Sequence, residues 1–365
     1  SLPLELVLEI LLYLFIDIRG KPHKRFASLS LVCKMWTPYA QRLLFRNVRL
    51  VHPDAAYSFL EATKPDGKNE ANQRLRDSIR TLEVTIMSKK MADVLPFVLR
   101  HCPKLHEFVL KIHTKAELNM RFQPKTFPPE LEFLSPIKYS DIPLPRFQAL
   151  RINSDNNKSL YRIIREWPDI RHLVVIGEAM AEFSLNARSP EVEELFSRLH
   201  LYEFQTGRIT NRSAAPTAGT LRASLTSSIG TLQILDLKGI SDGLIGLSGP
   251  LFVEHGPHLR SLRLPYLSHH IKLPFLRNCV SLEEIVVYGL PSKHIISNLL
   301  LDKIQHASFS TLIAQERTPI RHILEWLHDF PSLSVLSWFT RRASGMDKAE
   351  AEIRELCKKK GVRLR

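Results

Sequence analysis

One pattern recurs eleven times along the chain: an apolar residue, two of any kind, a second apolar residue, one of any kind, and a third apolar residue. It reads Phe45/Val48/Leu50, Ile79/Leu82/Val84, Leu105/Phe108/Leu110, Phe147/Leu150/Ile152, Ile170/Leu173/Val175 and Phe196/Leu199/Leu201. It continues as Leu232/Leu235/Leu237, Leu259/Leu262/Leu264, Leu282/Ile285/Val287, Ile304/Ala307/Phe309 and Leu333/Leu336/Trp338, with starts 22 to 42 residues apart. The last two apolar positions are two residues apart, as a short strand with one buried face requires. Helical spacing precedes several matches. Met91, Val94, Leu95 and Val98 fall at i, i+3, i+4 and i+7, as do Leu160, Ile163, Ile164 and Trp167, and Ile320, Ile323, Leu324 and Leu327. Proline then turns the chain, as in Cys102-Pro103-Lys104-Leu105 and Trp167-Pro168-Asp169-Ile170.

One strand and one helix cannot bury their apolar faces alone, whereas stacked units can. The pattern therefore predicts an α/β fold, a curved solenoid with parallel strands inside and helices outside. Its spacing resembles degenerate leucine-rich repeats, without their usual Asn/Cys position. The solenoid should span 51–365, with insertions near 113–146 and 203–228. The first insertion is rich in proline. Within the second, 206–228 is rich in Ser, Thr, Gly and Ala and reads as a mobile loop. Residues 64–72 form a polar connector.

Among 365 residues, 51 Lys and Arg face 37 Asp and Glu, a net charge of +14 that favours acidic partners without fixing a fold. The densest basic run is Lys358, Lys359 and Lys360. Four scattered cysteines build neither a disulfide framework nor a zinc site, and a reducing compartment, cytoplasmic and/or nuclear, suits them. Cys102 and Cys279 sit three residues before the first apolar position of their repeats, a packing role. No run has the roughly 18 uncharged apolar residues of a membrane span. Segment 2–18 carries Glu5, Glu9 and Asp17 without a basic leader and reads as a helix of the mature protein.

Residues 1–50 form three short helices. Pro3 suits a helix start; Leu6, Ile10 and Leu14 make one stripe; a second helix runs to Trp36; Thr37 caps a third, with Pro38 in its first turn. The module has more apolar surface than so small a core needs. Leu2-Pro3-Leu4-Glu5, Ile10, Leu14, Leu29, Val32-Cys33-Lys34-Met35-Trp36 and Leu44-Phe45-Arg46-Asn47-Val48 together resemble an F-box, and with the repeats the chain is similar to fungal F-box proteins with leucine-rich-repeat-like domains. The resemblance implies docking onto a Skp-type adaptor, and through it a cullin, by Leu2, Pro3, Leu6, Ile10, Leu11, Val32 and Trp36. It also implies an unidentified protein substrate held by the repeats, so that the chain serves as substrate-recognition subunit of a ubiquitin ligase.

No catalytic constellation, metal signature or cofactor loop stands out. His255-x-x-His258 lacks a third ligand, and Gly243-x-x-Gly246-x-x-Gly249 lacks the lysine of nucleotide loops. The expectation is a non-enzyme without cofactor or metal. In a solenoid the residue between the last two apolar positions faces the concave side. That row, with its neighbours, offers Arg151, His200, Tyr202, Asp236, Arg263 and Tyr288 for substrate binding, a mixture suited to protein ligands. Membrane binding is not expected. The alternatives are a nucleic-acid-binding solenoid, disfavoured by the mixed row, and an F-box protein with a structural, non-degradative role.

Overall fold

Within each unit, a single carbonyl oxygen ties most strands to the next. The carbonyl of Arg46 accepts the N–H groups of both Arg80 (2.9 Å) and Thr81 (3.0 Å); Arg80 does the same for His106 and Glu107, and His106 for Gln148 and Ala149. Arg171, Tyr202, Gln233, Arg260, Glu283 and Gln305 repeat the arrangement. A fixed carbonyl position holds the register, and register decides which side chains reach the core.

The computed structural model describes residues 6, 9–10, 28–29, 31, 34, 36–65, 70–112, 142, 144–154, 157–176, 194, 196–207, 218–267, 272–289, 295, 298–299, 301–311, 324, 327, 330–340 and 347–365. The chain divides into two units, Ser1–Trp167 and Pro168–Arg365.

In the first unit, strands β1 (Asn47–Leu50), β2 (Thr81–Ile86), β3 (Glu107–Ile112) and β4 (Ala149–Asn153) pair in sequence order, all parallel. Leu82, Phe108 and Leu150 lie in register, with Val84, Leu110 and Ile152 two residues on, all buried. Helices α1 (Thr37–Leu44), α2 (Pro53–Ala62), α3 (Glu70–Arg76), α4 (Lys89–Arg100) and α5 (Asn157–Glu166) lie between or beside them. Helix α4 buries the stripe Met91, Val94, Leu95 and Val98, and the Ser88 hydroxyl caps it by accepting from the Met91 N–H (3.4 Å). In α5 the same spacing buries Leu160, Ile163 and Ile164, with Trp167 buried just beyond.

The second unit carries β5 (His172–Ile176), β6 (Glu203–Thr206), β7 (Ile234–Asp236), β8 (Ser261–Leu264), β9 (Glu284–Val287), β10 (His306–Thr311), β11 (Val335–Thr340) and β12 (Arg363–Leu364), again parallel and in order. Helices α6 (Ala218–Leu225), α7 (Asp242–Leu247), α8 (Gly249–His255) and α9 (Asp347–Lys360) belong to it. This is the expected α/β repeat architecture of parallel strands joined through helices.

Several expectations need correction. The sixth repeat is framed five residues later than Phe196/Leu199/Leu201. Tyr202 occupies the carbonyl position, so Leu201, Phe204 and Thr206 are its three inward residues. The polar Thr206 hid the frame; its buried hydroxyl donates to the Asp236 carbonyl (3.3 Å). The second insertion therefore does not begin at 203, and 206–228 is not one loop. Helix α6 and a 3-10 turn at Thr226–Ser228 fill its second half, where the Ser227 and Ser228 hydroxyls donate to the Leu199 carbonyl (2.7 and 3.1 Å). Residues 208–217 lie outside the described residues, as does nearly all of 113–146. The connector at 64–72 gives way to α3 at Glu70. Thr37 is the first residue of α1; the cap position is Trp36, with no side-chain hydrogen bond.

Gly207 follows β6 so closely that a Cβ there would lie 2.6 Å from Cγ1 of Ile176. Gly361 turns the chain from α9 into β12 at φ +70°, which other residues rarely adopt.

Candidate recognition surface

Side chains alternate across a strand, so residues flanking each buried position share the opposite face. In the first unit, Glu83 on this face receives Arg49 (3.1 Å) and Lys111 (2.6 Å) from the flanking strands. Arg151 lies in register with Val109 on the same face and is exposed.

In the second unit the register places Asp236, Arg263, Val286, Ser308 and Ser337 side by side, and two residues earlier Ser261, Glu284, His306 and Val335. Glu284 is the hub. It accepts from the Ser261 hydroxyl, faces His306 Nδ1 at 2.8 Å and meets Arg263 Nη2 at 3.3 Å. These partners hold its carboxyl at about 2, the His306 contact contributing most. Arg263 Nη1 lies 3.9 Å from Asp236 Oδ2, and Asp236 Oδ1 accepts the Lys238 backbone N–H at 3.0 Å. Burial pushes the Asp236 carboxyl up despite Lys238 and Arg263, and Oδ2 has no hydrogen-bond donor. Lys238 Nζ sits 5.9 Å from the Tyr288 ring centroid. Burial and the nearby Asp236 carboxylate push the Tyr288 hydroxyl up.

Ser337 Oγ, His306 Nε2 (3.0 Å), His306 Nδ1 and Glu284 follow the order of a nucleophile–base–carboxylate relay. Strand β11 pairs with β10, and the Trp338 N–H is bonded to the Arg365 carbonyl (3.0 Å), so these amides serve the ladder. The relay reads as a cross-strand lock.

Of the expected substrate residues, Asp236, Arg263 and Tyr288 come together here. Arg151 belongs to the first unit. His200 is not on the strand row: it is exposed before β6, with Nδ1 2.9 Å from the Ser227 carbonyl, and Gln205 takes its place opposite Val174 and Asp236. Tyr202, shifted to the carbonyl row, lies against His172 with ring centroids 5.5 Å apart. Glu284, His306 and Ser261 were missed; alternation carried two residues upstream of the chosen row finds them.

Among the expected adaptor residues, Leu6 and Ile10 are exposed and Trp36 is half-buried, while Leu2, Pro3, Leu11 and Val32 lie outside the described residues. His255 is fully buried and His258 exposed, and among the described residues no group of three or more His, Cys, Asp or Glu is placed to hold a metal. Burial pushes the Cys279 thiol up to about 12 and the Cys102 thiol higher still, making both poor nucleophiles. No described helix is long and apolar enough to cross a membrane.

No protein-family model and no curated protein matches the chain. Among solved structures, the chain is similar to the yeast Rad7 and Elc1 complex, with a TM-score of 0.34 and 9% identity over 95% of this chain and 98% of that one. At that level of superposition no functional statement rests on the likeness.

Proposed function

We propose that this chain is a non-catalytic recognition subunit that docks a Skp-type adaptor, and through it a cullin, with residues 1–50, and holds a protein target on the strand face of its repeats. The reading is carried by Leu6 and Ile10, two apolar side chains four residues apart that are 46% and 41% exposed. Leu31, 85% exposed, adds to the same excess of apolar surface. Most described cations of the strand face support a protein target over nucleic acid: Arg49, Lys111, Lys238 and Arg263 each lie beside a carboxylate, with the exposed Arg151 the exception, whereas nucleic acid calls for a more uniformly basic face. The work of such a subunit is positional, raising the local concentration of target near a separate conjugating enzyme, in cytoplasm or nucleus.

Co-purification of a Skp-type adaptor with wild type and with Leu6→Asp/Ile10→Asp tests the reading. The expected result is at least tenfold lower recovery with the variant; equal recovery overturns adaptor docking. Target abundance that rises on proteasome inhibition separates a degradative role from a purely structural one.

A further inference from the structure

The first unit holds a cavity of about 400 Å³ whose lining sets Arg42, Arg46, Arg74, Arg80 and Lys104 against one carboxylate, Asp77, with Glu70, 3.7 Å from Arg74, as a second and more exposed one beside it. The Asp77 carboxylate is already engaged. Lys104 Nζ lies 2.8 Å from its Oδ2, and Gln73 donates to its Oδ1 at 3.1 Å. Arg80 is pinned, its Nη1 donating to the carbonyls of Asp77 (2.6 Å) and Ile79 (3.0 Å).

Register explains why the cations crowd. Arg46, Arg80 and His106 occupy successive carbonyl positions, so neighbouring rungs set them roughly 4.8 Å apart. The second unit spaces its cations along the same row: Arg171 is followed by uncharged Tyr202 and Gln233, Arg260 by Glu283, 3.8 Å away, and then by uncharged Gln305 and Ser334. Burial, Arg146 and Arg46 push the Arg80 guanidinium down, and burial, Arg80, Arg146 and Arg46 push His106 down. The field at this corner is strongly positive.

A second cavity of about 280 Å³ shares Arg42, Arg74 and Ser78 and adds the apolar surfaces of Pro38, Ala71 and Leu75 beside Lys34, Thr37 and Gln41. We propose that these joined cavities form a binding site for a phosphomonoester dianion, with the apolar compartment taking the group beside it. Fork-shaped guanidinium groups match phosphate oxygens. Two adjoining, half-open cavities fit one phosphate with an apolar neighbour; a nucleic acid strand would call for an extended basic track. The dianion is supplied either by a phosphorylated protein residue or by a free small phosphate ester. The site stands independently of adaptor docking.

The test is fluorescence anisotropy on the full chain near 0.15 M salt, with a short labelled peptide carrying phosphoserine between leucines. At least tenfold tighter binding than the unphosphorylated peptide is expected. Arg46→Gln/Arg74→Gln should lose at least tenfold, with an unchanged thermal midpoint showing that the fold survives. Lys358→Gln/Lys359→Gln, removing equal charge elsewhere, should lose none. Displacement by free phosphoserine as effective as by unlabelled peptide assigns the site to small phosphate esters; weaker displacement assigns it to phosphorylated proteins. Equal binding of both peptides, equal loss in both variants, or tighter binding of a single-stranded oligonucleotide overturns the proposal.

Discussion

His306 Nδ1 lies 2.8 Å from Glu284 Oε1, one rung apart on parallel strands β10 and β9. With Nε2 3.0 Å from the Ser337 hydroxyl, the imidazole fits the tautomer that donates from Nδ1 to the carboxylate and accepts from Ser337. The carboxyl of Glu284 sits at about 2 against an ordinary 4.5. A depressed folded-state value means stability that is fully present above pH 4.5 and lost as pH falls toward 2, at most about 3 kcal/mol. Urea denaturation at pH 3 and pH 6 should show this slope in wild type and a flatter one in Glu284→Gln. An equal slope in the two proteins would remove Glu284 as the hub.

The shifted frame of the sixth repeat is directly testable. Phe204 and Thr206 point inward and Gln205 lies on the strand face. Phe204→Ala should cost about 3–5 kcal/mol. Thr206→Asp should cost about 3 kcal/mol or more by burying a charge. Gln205→Ala should stay within about 0.5 kcal/mol. A tolerated Thr206→Asp would return this segment to a loop.

The repeat ladder was legible because its inward positions are nearly all Leu, Ile, Val or Phe at a spacing no helix shares. It failed where one inward position is polar, at Thr206, and where a strand shrinks to two residues, at Arg363–Leu364. The 3-10 turn after helix α6 was hidden by Ser227 and Ser228, which read as loop but tie to the Leu199 carbonyl from 28 and 29 residues away. Asp236, Arg263 and Tyr288 were found because the motif itself marks their row or borders it. Glu284 and His306 escaped because they precede the second apolar position, where alternation still applies but the motif says nothing. The Arg46, Arg80 and His106 stack depends on register across strands, which sequence separation of 26 to 34 residues conceals.

His255 is fully buried at the end of α8, and neither ring nitrogen has a hydrogen-bond partner. Burial pushes the ring from 6.5 down to about 4. Between those values the unfolded chain binds the proton and the folded chain does not, so stability is lost as pH falls from 6.5 toward 4, by about 3 kcal/mol. This window lies largely above that of Glu284, the two meeting between pH 4 and 4.5. His255→Leu should be more stable than wild type at pH 5 and clearly flatter from pH 7 to 5 in thermal denaturation, the remaining slope belonging to His101 and His106, which are also pushed down. A variant as pH-sensitive as wild type would mean that another group controls this range.

Asp236 runs the other way. Its carboxyl is pushed above the ordinary 3.8 by burial, so the folded chain holds the proton more tightly than the unfolded one, and this group's contribution weakens as pH rises through that range. The buried carboxylate carries a stability cost, with Oδ2 lacking a hydrogen-bond donor among the described residues and aligned toward Arg263 and Lys238. Asp236→Asn keeps an oxygen for the Lys238 N–H and removes the buried charge, so at pH 7 it should match or exceed wild type in urea denaturation. Arg263 keeps Glu284 as its partner in that variant. If the strand face holds the target, the same substitution should weaken target co-purification while the fold stays intact. A loss of about 3 kcal/mol or more would instead make the carboxylate a structural anchor for Arg263, because breaking a buried pair on one side leaves the other charge uncompensated.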